Sequence, residues 1–187
     1  MPLTTLDPKT ALILVDLQKG IVAVPLAHPV EGIITNAQAL LEAFRDLELP
    51  VVLVNVAGGA PGRTEQPRVH GTRAEGWTKL IPELNQQPSD HLVTKHSPGS
   101  FIRTGLDEYL RGAGVTQVVV GGISTSNGVE STARQAYELG YNVTLAIDAM
   151  TDRTVEAHEN SLTKIFPRIG ETGTTAQVIE LLKSTRT

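Results

Sequence analysis

Cysteine is absent from all 187 residues. The chain therefore forms no disulfide, offers no thiolate to a metal and has no thiol nucleophile. Long apolar runs are missing too. Nothing approaches the roughly 18 to 20 consecutive apolar residues that span a bilayer, and the opening "MPLTTLDPKT" lacks the basic stretch and apolar stretch of a secretory leader. No basic run exists either: 16 Lys and Arg stand against 20 Asp and Glu, a net charge of −4, which gives no electrostatic footprint for nucleic acid. The expectation is a cytoplasmic protein that engages neither membrane nor nucleic acid.

What is present suffices for one core. A hydrophobic fraction of 40% over this length fits a single domain spanning residues 1–187. Short Val, Ile and Leu-rich runs recur at 11–18 ("ALILVDLQ"), 50–56 ("PVVLVNV"), 91–95 ("HLVTK"), 117–123 ("QVVVGGI") and 142–148 ("NVTLAID"). Without strict polar alternation, they suit strands covered on both faces. Helical patterns lie between them. The first, at 31–47, sets Ile33, Ile34, Ala37, Leu40, Leu41 and Phe44 on one stripe, with Pro50 beyond its end. Others fall at about 103–112, 128–139, 151–165 and 174–184. The alternation predicts an α/β fold, a Rossmann-like three-layer αβα sandwich with a mostly parallel central sheet.

One segment breaks the rhythm. Residues 57–76, "AGGAPGRTEQPRVHGTRAEG", carry Gly and Pro throughout and no apolar periodicity, as a functional lid or a disordered loop would. Its Arg63, Arg68 and Arg73 have the fork geometry to clamp a carboxylate, or serve only to keep a loop solvated. Of the three, Arg63 lies nearest the strand end and is the one taken as a substrate-binding candidate. His70 is isolated and reads as a solvated loop side chain. Trp77, the single tryptophan, reads as a packing anchor for the end of this segment.

In open parallel sheets ligands bind beyond the carboxyl ends of the strands. The polar residues expected there are Asp16 and Gln18, Asn55, Lys95, Ser124 and Thr125, and Asp148. A carboxylate directly after "ALILV" is partly buried, and burial calls for a partner or a raised pKa. Lys95 is the natural partner for Asp16; His96 follows it and lines the crevice or turns into a helix layer. In "TSNGVEST" Asn127 reads as an N-cap, with Glu130 three positions on completing a capping box. The resulting amide cluster would attract an anion, or would simply cap a helix.

The order "ALILVDLQKG", "VTKHSPGSF", "VVVGGISTSNGVESTARQAYELGYNVTLAIDAMTD" and "IFPRIGET" resembles the isochorismatase-like hydrolase family over nearly the whole chain. The resemblance implies a catalytic Asp at Asp16, a catalytic Lys at Lys95, and a non-proline cis peptide near Ile123 and Ser124. It also implies that a Cys commonly stands where this chain has Gly128. In the cysteine members the thiolate attacks an amide carbonyl; Gly128 has nothing to attack with. Ser126 is a poor substitute, since two positions at a helix start turn a side chain by about 200°. Nicotinamidase-type members add a metal site of Asp-x-His pattern after the second strand, where this chain reads "NVAGGAP", so no metal is expected.

Isochorismatases proper hydrolyse a vinyl ether, and general acid catalysis is their whole requirement, so no cofactor is expected. The resemblance then gives Asp16 the role of acid. Gln18, Asn55, Ser124, Thr125, Gly128 and Arg63 become the substrate-binding candidates, with Gly128 leaving room for a ring. One electrostatic question follows: Lys95 lowers the pKa of Asp16, whereas a proton donor needs it raised, so desolvation must prevail. Three functions fit these residues: a thiol-independent hydrolase of a small anionic metabolite, an amide or ester hydrolase using activated water, and an inactive metabolite-binding relative. The chain ends at "LLKSTRT" soon after the last helical pattern, so no carrier domain is expected. Family members are usually dimers or tetramers, which the resemblance implies here.

Overall fold

The computed structural model describes residues 3–65 and 73–184. In chain order the main elements are β1 (Thr10–Val15), α1 (Lys19–Val22), α2 (Val30–Asp46), β2 (Val51–Val56), β3 (His91–Lys95), α3 (Leu106–Gly112) and β4 (Gln117–Ile123). After them come α4 (Glu130–Glu138), β5 (Asn142–Thr151), α5 (Val155–Asn160), β6 (Glu171–Gly173) and α6 (Thr175–Ser184). The six strands form one parallel sheet in the order β3-β2-β1-β4-β5-β6. Chain connections leave β1 in one direction and β4 in the other, so a crevice opens between the carboxyl ends of these two neighbours.

The apolar runs work as strands because both of their faces are covered. Ala11, Ile13 and Val15 of β1 join Val52, Val54, Val118 and Val120 in a core that includes Leu106, Leu110, Ala133, Ala136 and Phe166. Leu12 and Leu14 face the other way with Val51, Leu53 and Val119, against Leu40, Phe44, Val178 and Leu182. The period-2 alternation of a strand thus divides one hydrophobic run between two cores. On α2 the stripe is buried at Ile33, Ala37, Leu40, Leu41 and Phe44, while Ile34 is only partly covered. Truncating a fully buried residue such as Phe44 to Ala costs roughly 3–5 kcal/mol.

The fifth strand departs from the sequence reading. β5 runs on to Thr151 rather than stopping at Asp148, because the β4–β5 ladder shifts: β4 advances from Val120 to Gly122 while β5 advances from Leu145 to Met150. The bulge turns Asp148 aside, where its Oδ1 accepts from Thr175 N (2.7 Å) and Thr175 Oγ1 (2.8 Å) at the start of α6. In β4 itself, Gly122 has φ +119°, and a Cβ there would lie 2.1 Å from the Val15 carbonyl oxygen. Only glycine lets β4 approach β1 so closely just before the crevice.

Candidate active site

β1 ends by delivering Asp16 into the crevice in a left-handed backbone conformation, φ 54°. Its N–H is held by Val54 O (2.9 Å) and its C=O by Gln18 N (2.8 Å). β3 delivers Lys95 from two strands away. Asp16 Oδ2 and Lys95 Nζ lie 2.9 Å apart, with both side chains buried. Lys95 Nζ also donates to Pro98 O; its third proton has no partner among the described residues. Asp16 Oδ1 is likewise buried without a hydrogen-bond partner among them. Burial raises the Asp16 pKa to about 6 against the lowering charge and hydrogen bond of Lys95. Desolvation therefore outweighs the ion pair, which answers the electrostatic question posed by the sequence.

A cavity of about 700 Å³ opens over this pair, lined among others by Asp16, Lys95, Ser124, Gly128, Arg63 and Arg153. The Ile123–Ser124 peptide is cis, as the family resemblance implied, and Ser124 leads into a wide helical turn, Thr125–Val129. A Cβ on Gly128 would lie 3.2 Å from both Asp16 Oδ2 and Lys95 Nζ, and 3.0 Å from Val15 Cγ1. Position 128 thus faces the charged pair directly. Ser126 is exposed and outside the cavity lining, so it gives no serine nucleophile.

Three expected substrate contacts are corrected. Gln18 is fully buried: its Nε2 donates to Val56 O and Trp77 O (both 3.1 Å), and its Oε1 accepts from Val56 N (2.7 Å). Asn55 donates to Thr78 O (2.8 Å) and accepts from Thr94 Oγ1 (2.7 Å). Thr125 Oγ1 lies 2.9 Å from His158 Nδ1. None of the three lines the cavity. Each is a polar group at a strand end whose bonding capacity is filled by backbone or neighbouring side chains, which sequence position alone does not reveal.

The anion-attracting amide cluster is corrected as well. Ser124, not Asn127, precedes the turn, and it makes no side-chain cap. Ser126 N–H donates to Asp152 Oδ2 (2.6 Å), and the N–H groups of Asn127 and Val129 donate to Ser124 O (both 3.1 Å). Glu130 makes no capping box; its carboxylate accepts from Arg134 Nε (3.0 Å) and Ser161 Oγ (2.6 Å). With those three N–H groups engaged, the formal positive charge available to an anion in the cavity comes from side chains.

Those side chains are present. Among the described residues Arg63, Arg73, Arg153 and Lys95 line the cavity against one acidic residue, Asp16. Arg73 is fixed twice, by Nη1 donating to Ala57 O (2.6 Å) and by its guanidinium lying 4.0 Å from the Trp77 ring centroid. Trp77 in turn fills the space above Gly20, where a Cβ would fall 2.0 Å from the ring, so it packs as an anchor. The described ends of the 57–76 segment both reach the cavity, through Gly58 to Thr64 on one side and Arg73 on the other. Arg68 and His70 lie outside the described residues. His96 is exposed and packs over Gly58 without lining the cavity. Sequence reading missed Arg153 and Asp152, which sit beyond the point where β5 was expected to end. Among the described residues no group of three or more His, Asp or Glu is gathered to hold a metal, and no helix is long and apolar enough to cross a membrane.

Comparison with known proteins places this geometry. Residues 10–177 match the isochorismatase domain. The uncharacterized isochorismatase family protein YwoC of Bacillus subtilis is 41% identical over 182 residues, covering 94% of this chain and 95% of that one. The ureidoacrylate amidohydrolase RutB of Agrobacterium fabrum is 30% identical over 178 residues, covering 79% of this chain and 78% of its own. Among solved structures, an isochorismatase family protein from Burkholderia thailandensis superposes with TM-score 0.91 at 39% identity, covering 96% of this chain and 98% of its own.

Proposed function

Because the chain belongs to the isochorismatase family of hydrolases, we propose that it hydrolyses a small anionic metabolite without a covalent thiol step, most concretely by vinyl ether cleavage. The observation that carries this reading is Asp16 Oδ1, a buried carboxyl oxygen with no partner among the described residues, on a group whose pKa is raised to about 6. Such a carboxyl gives up and regains a proton near neutrality, which is what a general acid must do.

In the proposed sequence, protonated Asp16 delivers its proton to the terminal vinyl carbon, and the adjacent carbon becomes an oxocarbenium ion. Water adds to that carbon and returns a proton to the Asp16 carboxylate. The hemiketal then collapses, breaking the C–O bond to give a keto acid and an alcohol, so atoms and protons balance. Lys95 and the arginines that line the cavity, Arg63, Arg73 and Arg153, hold the substrate's carboxylate, and the missing side chain at Gly128 leaves space beside the reacting carbon.

Pyruvate release from isochorismate, measured with wild type and Asp16→Asn, tests the proposal. Release abolished by the substitution is the expected result; equal rates, or no release by wild type, overturn it. The amidohydrolase relative favours a second reading, in which ionised Asp16 acts as a base that activates water for attack on an amide or ester. The two readings predict opposite pH limbs: an acid mechanism fails as pH rises through about 6, and a base mechanism fails as it falls through the same value. A binding protein without catalysis is refuted by any turnover that Lys95→Ala abolishes.

A further inference from the structure

His158 of α5 is a buried titratable group with no part in that reaction. Its Nδ1 lies 2.9 Å from Thr125 Oγ1, at the start of the Thr125–Val129 turn that carries Gly128. Its ring meets that of His28 edge to face, with centroids 4.8 Å apart, and His28 Nδ1 lies 2.9 Å from Thr151 Oγ1. Beside them Asp152 accepts from the N–H groups of Ser126 (2.6 Å) and Arg153 (2.7 Å). The end of β5, the start of the turn, α5 and the segment before α2 therefore meet in one polar knot, which fixes the turn through Thr125 and Ser126.

We propose that His158 is a positioning residue: as a neutral imidazole it holds Thr125, and with it the Thr125–Val129 turn, against the Asp16–Lys95 pair, and on taking up a proton it becomes the obligate donor to Thr125, reorients that hydroxyl and shifts the turn. The inference rests on reading the cavity as the substrate site. A neutral ring and a hydroxyl share their hydrogen bond in either direction, whereas an imidazolium can only donate, which forces the Thr125 hydroxyl to give its own proton to another acceptor.

The surroundings set the sense of the switch. Burial first and the neighbouring His28 second disfavour the imidazolium; Glu159 on the same helix and Asp152 at the end of β5 favour it, and the net pKa is lowered from 6.5. Glu156 stands in the first turn of the same helix, and Glu130 of α4 is engaged by Ser161 and Arg134. The neutral form is thus the resting state at pH 7. A shift of the turn matters because Gly128 abuts the pair: the Cβ position is 3.2 Å from both charged atoms, so a small displacement changes the width of the reacting space.

The test uses the full chain with Asp16→Asn as background, which silences the carboxyl titration beside Gly128. Amide resonances of Ser126 and Gly128 are followed by NMR as pH falls, together with the His158 ring signals. Expected is a common midpoint below 6.5 for ring and turn, absent in His158→Asn, which keeps a hydrogen-bonding nitrogen near the Nδ1 position but does not titrate. Turn amides that ignore the ring, or that titrate identically in His158→Asn, overturn the proposal. Should that variant not fold, Thr125→Val cuts the same link from the other side: the turn is expected to uncouple from the ring, and persistent coupling overturns the proposal. With Asp16 restored, Thr125→Val is expected to lower kcat by roughly tenfold to a hundredfold with little change in KM, and an unchanged kcat overturns the positioning role. Coupling without any isochorismate turnover would sink the proposed reaction and leave this inference standing.

Discussion

Asp16 and Lys95 come from strands separated by β2 in the sheet, yet their carboxylate and ammonium stand 2.9 Å apart beneath the cavity. The pair is buried, so neither charge is relieved by water and each depends on the other. The loss of the lysine is therefore felt in the titration of Asp16.

That dependence gives the first prediction. Lys95 lowers the Asp16 pKa and burial raises it to about 6; removing the lysine leaves burial unopposed. In Lys95→Met the Asp16 carboxyl is expected to titrate above its wild-type midpoint, read from the side-chain carbonyl signal by NMR. For the acid mechanism, wild-type kcat/KM should fall about tenfold per pH unit above the midpoint, and a flat profile from pH 5 to 8 would remove Asp16 from the rate.

Position 128 tests the shape of the reacting space. A methyl group on Gly128 would sit 3.2 Å from both charged atoms and 3.0 Å from Val15 Cγ1, contacts that need the neighbours to move by a few tenths of an ångström. Gly128→Ala is expected to cost about 1–3 kcal/mol of stability by overpacking and to reduce turnover more than binding. Gly128→Cys brings a thiol to the same pair, and a covalent adduct with a small activated ester, seen by mass spectrometry, is the expected gain.

Gln18 should behave as a structural residue. Gln18→Ala removes three hydrogen bonds to Val56 and Trp77 and is expected to cost about 2–3 kcal/mol. For a chain of this length that lowers Tm by roughly 4–12 °C. A KM change larger than the stability effect explains would return Gln18 to the substrate site.

The arginines should act on binding. Arg153→Ala removes one of the four cationic groups that line the cavity among the described residues and is expected to raise KM for an anionic substrate by about tenfold, with the effect shrinking at high salt. An equal KM for wild type and variant would separate Arg153 from recognition.

Much of this was legible in the residues. Hydrophobic runs of five to eight residues alternating with amphipathic stretches are enough to specify strands buried on both faces, and hence the position of the crevice. Asp16 and Lys95 were readable because a charge placed directly after such a run has few other ways to be satisfied. Gln18, Asn55 and Thr125 follow equally apolar runs, but neutral polar side chains are satisfied by backbone groups from Val56, Thr78 or by a single histidine, and that choice is made by tertiary contacts between distant segments. Arg153 and Asp152 were hidden by the bulge in β5, which carries the strand past an aspartate that reads as its end. The polar knot around His158 joins residues as far apart as 28 and 158, a separation no local pattern encodes.

The left-handed backbone at Asp16 has a practical consequence for anyone altering the acid. Aspartate and asparagine tolerate that conformation far better than alanine or a branched residue, because their short polar side chains bond locally. Asp16→Asn therefore changes protonation while sparing the chain's path, whereas Asp16→Ala or Asp16→Val would bend the end of β1 as well. Loss of activity in the latter two would report on geometry and chemistry together, and only the amide separates them.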